Sequence, residues 1–314
     1  MMATKPAPAA YDEDTPRGFA FALTAYLLWG FLPLYMKAVN HIPALEVVAH
    51  RVIWSVPIAA VVLIWLGRTQ DIRAAFRSPR TMGMALITAA LITVNWLIYV
   101  WSVGAGRAVE TALGYYINPL FSIFLGAVLL RERLDGRQKT AILLAVAAVG
   151  LLALETGGLP WVSVGLALTW GLYAFFKKSL PVGPNQGFFL EVLILTIPAI
   201  GFVAYTEFNG TGHFGRTGMT DVWLLLGCGL VTAVPLMIYA NGAKLLRLST
   251  IGIMQYIAPT MIFFIAVFIF KEPFGPYKLA AFVLIWIALA IYTSSLLRSR
   301  KARQAIAAAA LKSG

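Results

Sequence analysis

Apolar residues in this chain do not alternate with polar ones; they come in long blocks separated by short polar breaks. Ten blocks stand out, at about 18–36, 45–66, 82–103, 109–130, 140–155, 161–177, 187–206, 222–243, 249–270 and 277–297. Most reach the roughly 20 residues that an α-helix needs to cross a hydrocarbon core of about 30 Å. Lipid leaves no water to satisfy backbone polar groups, so blocks of this length read as spanning helices. The predicted fold class is an all-α integral membrane protein with ten transmembrane helices. The fifth block is short and is expected to lie upright or to thin the bilayer locally.

The blocks also repeat. Residues 94–132, laid without a gap on residues 234–272, match at Val94/Val234, Ile98/Ile238, Tyr99/Tyr239, Arg107/Arg247, Tyr116/Tyr256, Ile117/Ile257, Pro119/Pro259, Phe124/Phe264 and Glu132/Glu272. Near the start of each unit, Trp29-Gly30 falls on Trp170-Gly171 and Lys37 on Lys178. A repeat constrains architecture more than any local signal does. Five helices per unit is an odd number, so the two units must lie antiparallel, as two inverted five-helix repeats. The expected segments are an N-terminal tail over 1–17, repeats over 18–155 and 160–297, and a basic tail over 298–314. Inverted repeats of this kind often flank one solute site near the bilayer midplane.

Composition agrees with the pattern. The chain is 60% hydrophobic and only 12% charged, with a mean hydropathy of +0.80; soluble domains carry about 25% charged residues. Basic residues set the orientation. With the N-terminus in the cytoplasm, 19 of the 25 basic residues fall on that side. Lys37, Arg107, Arg216, Lys271 and Lys278 fall outside, and Arg51 lies within the second helix. The net charge of +12 is thereby accounted for by topology and calls for no nucleic-acid partner. Both termini are expected in the cytoplasm, with the first helix an uncleaved anchor. Cys228 is the only cysteine, so neither an intrachain disulfide nor a cysteine metal cluster is expected, and no cofactor is.

Several motifs now carry a family resemblance. Trp29-Gly30 with Pro33, Tyr35 and Lys37, then Glu46 and His50-Arg51-Val52-Ile53-Trp54-Ser55, open it. Asn95-Trp96, Leu113-Gly114-Tyr115-Tyr116-Ile117-Asn118-Pro119-Leu120 and Glu132-Arg133-Leu134 continue it. Val231-Thr232-Ala233-Val234-Pro235-Leu236, Gln255-Tyr256-Ile257-Ala258-Pro259-Thr260 and Glu272 complete it. The chain resembles, over about residues 18–297, the RarD family of EamA-type permeases in the drug/metabolite transporter superfamily. That resemblance implies a ten-helix bacterial inner-membrane permease with cytoplasmic termini. The name RarD is linked to chloramphenicol, which does not assign that substrate here.

Residues present in both repeats read as scaffold. Pro119 and Pro259 are expected to kink their helices. Glu132 and Glu272 read as interfacial ion pairs with Arg131 and Lys271. Tyr116 and Tyr256 either line a cavity or pack. Residues that break the repeat point to a solute, which has no two-fold symmetry. Arg51 stands about six residues, roughly 9 Å, into its helix. It either snorkels to the interface or faces a cavity, where a guanidinium binds an anionic or zwitterionic solute. Ser55 shares its face one turn on. His50 lies one turn after Glu46, and the pair is either a static hydrogen bond or the proton-coupling element, since histidine titrates near neutrality. Glu110 reads as a helix N-terminal charge. Asn95 and Asn118 are mid-membrane amides that need a partner helix or a solute. Trp29, Tyr35, Trp170 and Tyr173 are aromatic walls or packing residues. The expected substrate-binding set is Arg51, Trp29, Tyr35, Ser55, Asn95, Tyr116, Asn118, Trp170, Tyr173 and Tyr256.

Enzyme chemistry finds no footing. His-Glu-x-x-His, a P-loop, Gly-x-Ser-x-Gly and Cys/His metal spacings do not occur, and His41, His50 and His213 are the only histidines. The expected function is secondary transport, by alternating access, of a small organic metabolite or drug-like solute across the bilayer, with export as its direction. A membrane-embedded binding or sensory protein on the same fold is the alternative.

Overall fold

A computed structural model describes residues 14–129, 131 and 134–313. Among these residues the chain is helical throughout, with no strand. The first half contains α1 (Pro16–Ala38), α2 (Ala44–Trp65), a short α3 (Gln70–Phe76), α4 (Pro79–Gly104), α5 (Ala108–Leu129) and α6 (Gly136–Thr156). The second contains α7 (Trp161–Ser179), α8 (Pro184–Phe208), α9 (Met219–Gly242), α10 (Leu248–Met254), α11 (Ile257–Phe264) and α12 (Pro276–Ser313). Each expected span falls on a helix or, for the ninth, on α10 and α11 with a π turn at Ile265–Ile269. Nine spans among the described residues are long and apolar enough to cross a membrane. The long helix outside that set is α7, 19 residues with Lys177 and Lys178 in its last turn. Large apolar side chains such as Trp65, Ile197, Phe208 and Trp223 point outward, as lipid requires.

Several expectations change in detail. The fifth span is not short: Asp135 accepts from the Gln138 N–H while Gln138 reaches back to the Asp135 N–H. This capping box draws Gly136 and three polar residues, Arg137 to Lys139, into the helix and gives a 20-residue span, Gly136–Glu155. The two prolines act differently. Pro119 lies inside a continuous α5, whereas Pro259 sits in the first turn of α11, after the chain breaks at Gln255–Tyr256. There its missing N–H costs nothing, because first-turn donors have no intrahelical acceptor.

Glu272 does not pair with Lys271. Its two carboxylate oxygens accept the backbone N–H groups of Ala108 and Val109 at 2.8 Å, capping α5 from the opposite repeat. Glu110, expected to serve that helix end, is held instead by Arg107 at 2.7 and 2.8 Å. The matching expectation for Glu132 lies outside the described residues.

Packing repeats along with the sequence. Helix α1 packs on α9 and α11 of the second half, and α7 packs on α4 and α5 of the first. The pairs α2–α8, α5–α11 and α6–α12 join repeat mates. Arg131 and Lys271, repeat mates, are the only non-glycine residues with positive φ among those described, at 55° and 56°. Gly30 and Gly171 show the same economy. A Cβ on Gly30 would lie 2.4 Å from the Met261 sulfur, and one on Gly171 would lie 2.4 Å from a Phe121 ring carbon. Met261 and Phe121 are themselves repeat mates, so each glycine lets one interhelical contact close beside its tryptophan.

Candidate functional site: an aromatic cavity around Arg51

Trp29 and Trp170, beside these two glycines, both line a cavity of about 150 Å³. Helices α1, α2, α4, α5, α7, α9 and α11 all contribute to it, so it belongs to both halves. One wall is a mutually packed cluster of Tyr26, Trp29 and Tyr239, with ring centroids 5.4–5.7 Å apart. Trp170 meets Tyr115 edge-on at 6.2 Å.

Arg51 is 3% exposed and faces this cavity rather than the lipid interface. Its Nε donates to Thr232 Oγ1 at 2.9 Å, and its guanidinium carbon lies 4.8 Å from the centre of the Trp96 ring. Nη1 is buried without a partner. No ion pair among the described residues includes Arg51, and no carboxylate lines the cavity. A buried cation of this kind is costly unless it is paired.

The two mid-membrane amides differ. The Asn95 amide donates to Leu166 O (3.2 Å) and Thr169 Oγ1 (2.9 Å), and its oxygen accepts from the Tyr115 hydroxyl (3.2 Å). Asn118 also lines the cavity, yet its Oδ1 is buried and unpaired.

Of the ten expected binding residues, Arg51, Trp29, Asn95, Asn118 and Trp170 meet in the cavity. The other five line other contacts. The Tyr35 hydroxyl donates to the Leu224 carbonyl. Ser55 donates to Arg51 O at 2.6 Å. Tyr116 stacks on Tyr256 at 6.2 Å, closing the α5–α11 contact, and shares a hydrogen bond with Thr260. Tyr173 donates to Glu191, which also takes Lys177 at 2.6 Å. The expected Glu46–His50 hydrogen bond does not form. Glu46 accepts instead from the His213 backbone N–H (2.7 Å) and lies 2.8 Å from its Nδ1. His50 Nδ1 accepts from the Trp54 indole at 3.0 Å. Helix geometry permits the i,i+4 pair, but His213 offers Glu46 two donors at once, from a loop far along the chain.

The lining also holds residues not singled out from the sequence: Tyr26, Trp96, Tyr99, Tyr115, Thr232 and Tyr239. Tyr99 and Tyr239 were visible as a repeat-mate pair, but identity across the repeat reads as scaffold.

Comparison with known proteins places the chain. A model described as the EamA-like transporter family matches residues 16–154 and again residues 158–294. The chain belongs to the EamA-like transporter family. Among its EamA relatives, Protein RarD of Streptomyces exfoliatus is 38% identical over 300 residues, covering 95% of each chain. The uncharacterized transporter YojE of Bacillus subtilis (strain 168) is 36% identical over 92% of this chain and 97% of its own. Protein RarD of Escherichia coli (strain K12) is 36% identical over 89% and 95%. A solved structure covering 90% of this chain and 98% of its own aligns with a TM-score of 0.57 at 18% identity, which shows the shared fold. This EamA chain is thus a multi-pass, transporter-like membrane protein with two family repeats.

Proposed function

We propose that the protein is a secondary transporter exporting a small organic anion or zwitterion across a bacterial inner membrane by alternating access. The observation that carries this reading is Arg51, an unneutralised buried cation in an aromatic cavity shared by both halves. Residues 18–155 and 160–297 act as the two moving halves, with the tails over 1–17 and 298–314 in the cytoplasm. Trp29 and Trp170 hold the apolar part of the solute from opposite sides. The distribution of basic residues supports the orientation.

His50 links the cycle to protons in this reading. Protonating Nδ1 turns it from acceptor to donor and expels the Trp54 N–H, disturbing the stack of His50 and Trp54 on Phe214. Glu46 contributes by holding the adjacent His213.

The test is flux of labelled organic acids into proteoliposomes, with and without a pH gradient. Uptake dependent on Arg51 supports the reading. Arg51-dependent binding without flux would make the protein a membrane-embedded receptor instead. Unchanged pH dependence in His50→Gln would remove His50 from coupling.

A further inference from the structure

The buried polar atoms of the cavity that lack partners form a recognisable set. They are Arg51 Nη1, the Tyr99 hydroxyl and Asn118 Oδ1. Their residues are 3%, 3% and 6% exposed. Native proteins leave few buried polar groups unpaired, and each such group calls for an explanation. Here all three belong to residues that line one cavity. Asn95 and Thr232 nearby are occupied: Asn95 by Leu166, Thr169 and Tyr115, and Thr232 by Arg51 and Cys228 O.

The set has a definite chemistry. Arg51 Nη1 and the Tyr99 O–H are donors, whereas a carbonyl oxygen such as Asn118 Oδ1 only accepts. Among the described residues one cation and no carboxylate line the cavity, so its charge is balanced by a single negative charge. A phosphate monoester brings about −1.5 to −2 at neutral pH, an excess that no second cation there would offset. An ammonium group would find no acid. A carboxylate fits, and its two oxygens match two donors. The volume, about 150 Å³, is that of a cavity that accepts one six-membered ring, and the walls are aromatic.

Resting on the transport reading above, we propose that the solute is a monocarboxylate carrying a separate neutral hydroxyl donor on a flat apolar body, and that Asn118 is the residue that reads the donor. Arg51 and Tyr99 hold the carboxylate, and Asn118 Oδ1 accepts from the hydroxyl.

Binding to the purified full-length protein, in detergent at pH 7, tests this with four probes: 4-hydroxybenzoate, 4-methoxybenzoate, benzoate and terephthalate. The methoxy group accepts a hydrogen bond but cannot donate one. Wild type is expected to bind 4-hydroxybenzoate at least about fivefold tighter than the methoxy compound or benzoate, the worth of one hydrogen bond. Terephthalate, a dianion, is expected to bind more weakly than benzoate. Asn118→Leu should bring 4-hydroxybenzoate down to the level at which the same variant binds benzoate, and benzoate binding that persists in the variant reports an intact fold. Equal binding of the hydroxy and methoxy compounds to wild type would overturn the proposal, and needs no variant. So would a hydroxyl preference that survives Asn118→Leu, tighter binding of terephthalate than of benzoate, or failure of all three monocarboxylates to bind. Those outcomes leave the transport reading standing; it falls only if no organic anion shows flux that depends on Arg51.

Discussion

Two basic side chains reach into the helix bundle, one from each half, and the protein treats them in opposite ways. Lys177 on α7 is matched within the fold. Its Nζ lies 2.6 Å from Glu191, which is 1% exposed, and the second Glu191 oxygen takes the Tyr173 hydroxyl. Arg51 on α2 is more deeply buried than Lys177 and has hydrogen bonding at Nε but no counter-charge. A charge neutralised inside the protein is part of the scaffold. One left without an acid is not accounted for by the scaffold, and on the proposed function it is met by the solute.

The sharpest way to break this comparison is Arg51→Ala. Flux of the solute should be abolished, while thermal denaturation in detergent shows stability unchanged or raised, because an unpaired buried charge has been removed. Arg51→Lys should retain only part of the flux, since an ammonium cannot reproduce the planar fork. An active Ala variant, or one that unfolds, would make Arg51 a structural residue like Lys177.

Lys177→Met should do the reverse. It strands the Glu191 carboxylate and should destabilise the protein by about 3–5 kcal/mol, the usual cost of removing one partner of a buried pair. Adding Glu191→Gln should recover much of that loss, because both charges are then gone. A double variant no more stable than the single would show that the pair does not act as a unit.

A smaller effect concerns an acid satisfied by backbone instead of lysine. Glu272→Gln keeps one acceptor but loses the charge at the α5 N-terminus, and should cost about 1 kcal/mol in denaturation. Glu272→Ala, which removes the cap altogether, should cost more, up to about 2 kcal/mol. Equal stability of all three proteins would show that α5 does not depend on the opposite repeat for its cap.

The least effect is expected at Asp135, outside the membrane spans. Hydrogen bonds from the Ser295 hydroxyl and the Gln138 N–H hold its carboxyl below the ordinary aspartate value of 3.8. A depressed folded value means that the contribution is complete above the unfolded pKa and is lost as pH falls through the folded one. Asp135→Asn should therefore remove a small stabilisation seen at pH 7, and the two proteins should converge below pH 3.8. A difference that persists at lower pH would rule out the carboxylate as its source.

Much of the fold was legible because its determinants are local. A block such as 187–206 is apolar enough to enter a bilayer whatever surrounds it, and Arg68, Arg73, Arg77 and Arg80 point to one side by their number alone. The repeat was legible too, and it foretold that Trp29 and Trp170 occupy equivalent places. The cavity was only half legible. Tyr116 was singled out and Tyr115 was not, although Tyr115 lines the cavity and Tyr116 stacks on Tyr256. Successive residues on a helix point about 100° apart, so the choice rests on how α5 is rotated against its neighbours.

What the sequence by itself determined is thus the class of molecule: helices in lipid, two antiparallel repeats, and one arginine out of keeping with its apolar surroundings. Those follow from composition and spacing, which act over one helix length. Partnership was decided only by the tertiary structure. Glu46 meets His213 and not His50, Glu272 caps α5 and not its own helix, Asn95 is satisfied and Asn118 is not. The partners Glu46 and Glu272 find lie far away along the chain. A buried polar group takes whichever donor or acceptor the packed helices bring within about 3 Å, and that depends on rotations and approaches no short stretch of sequence encodes.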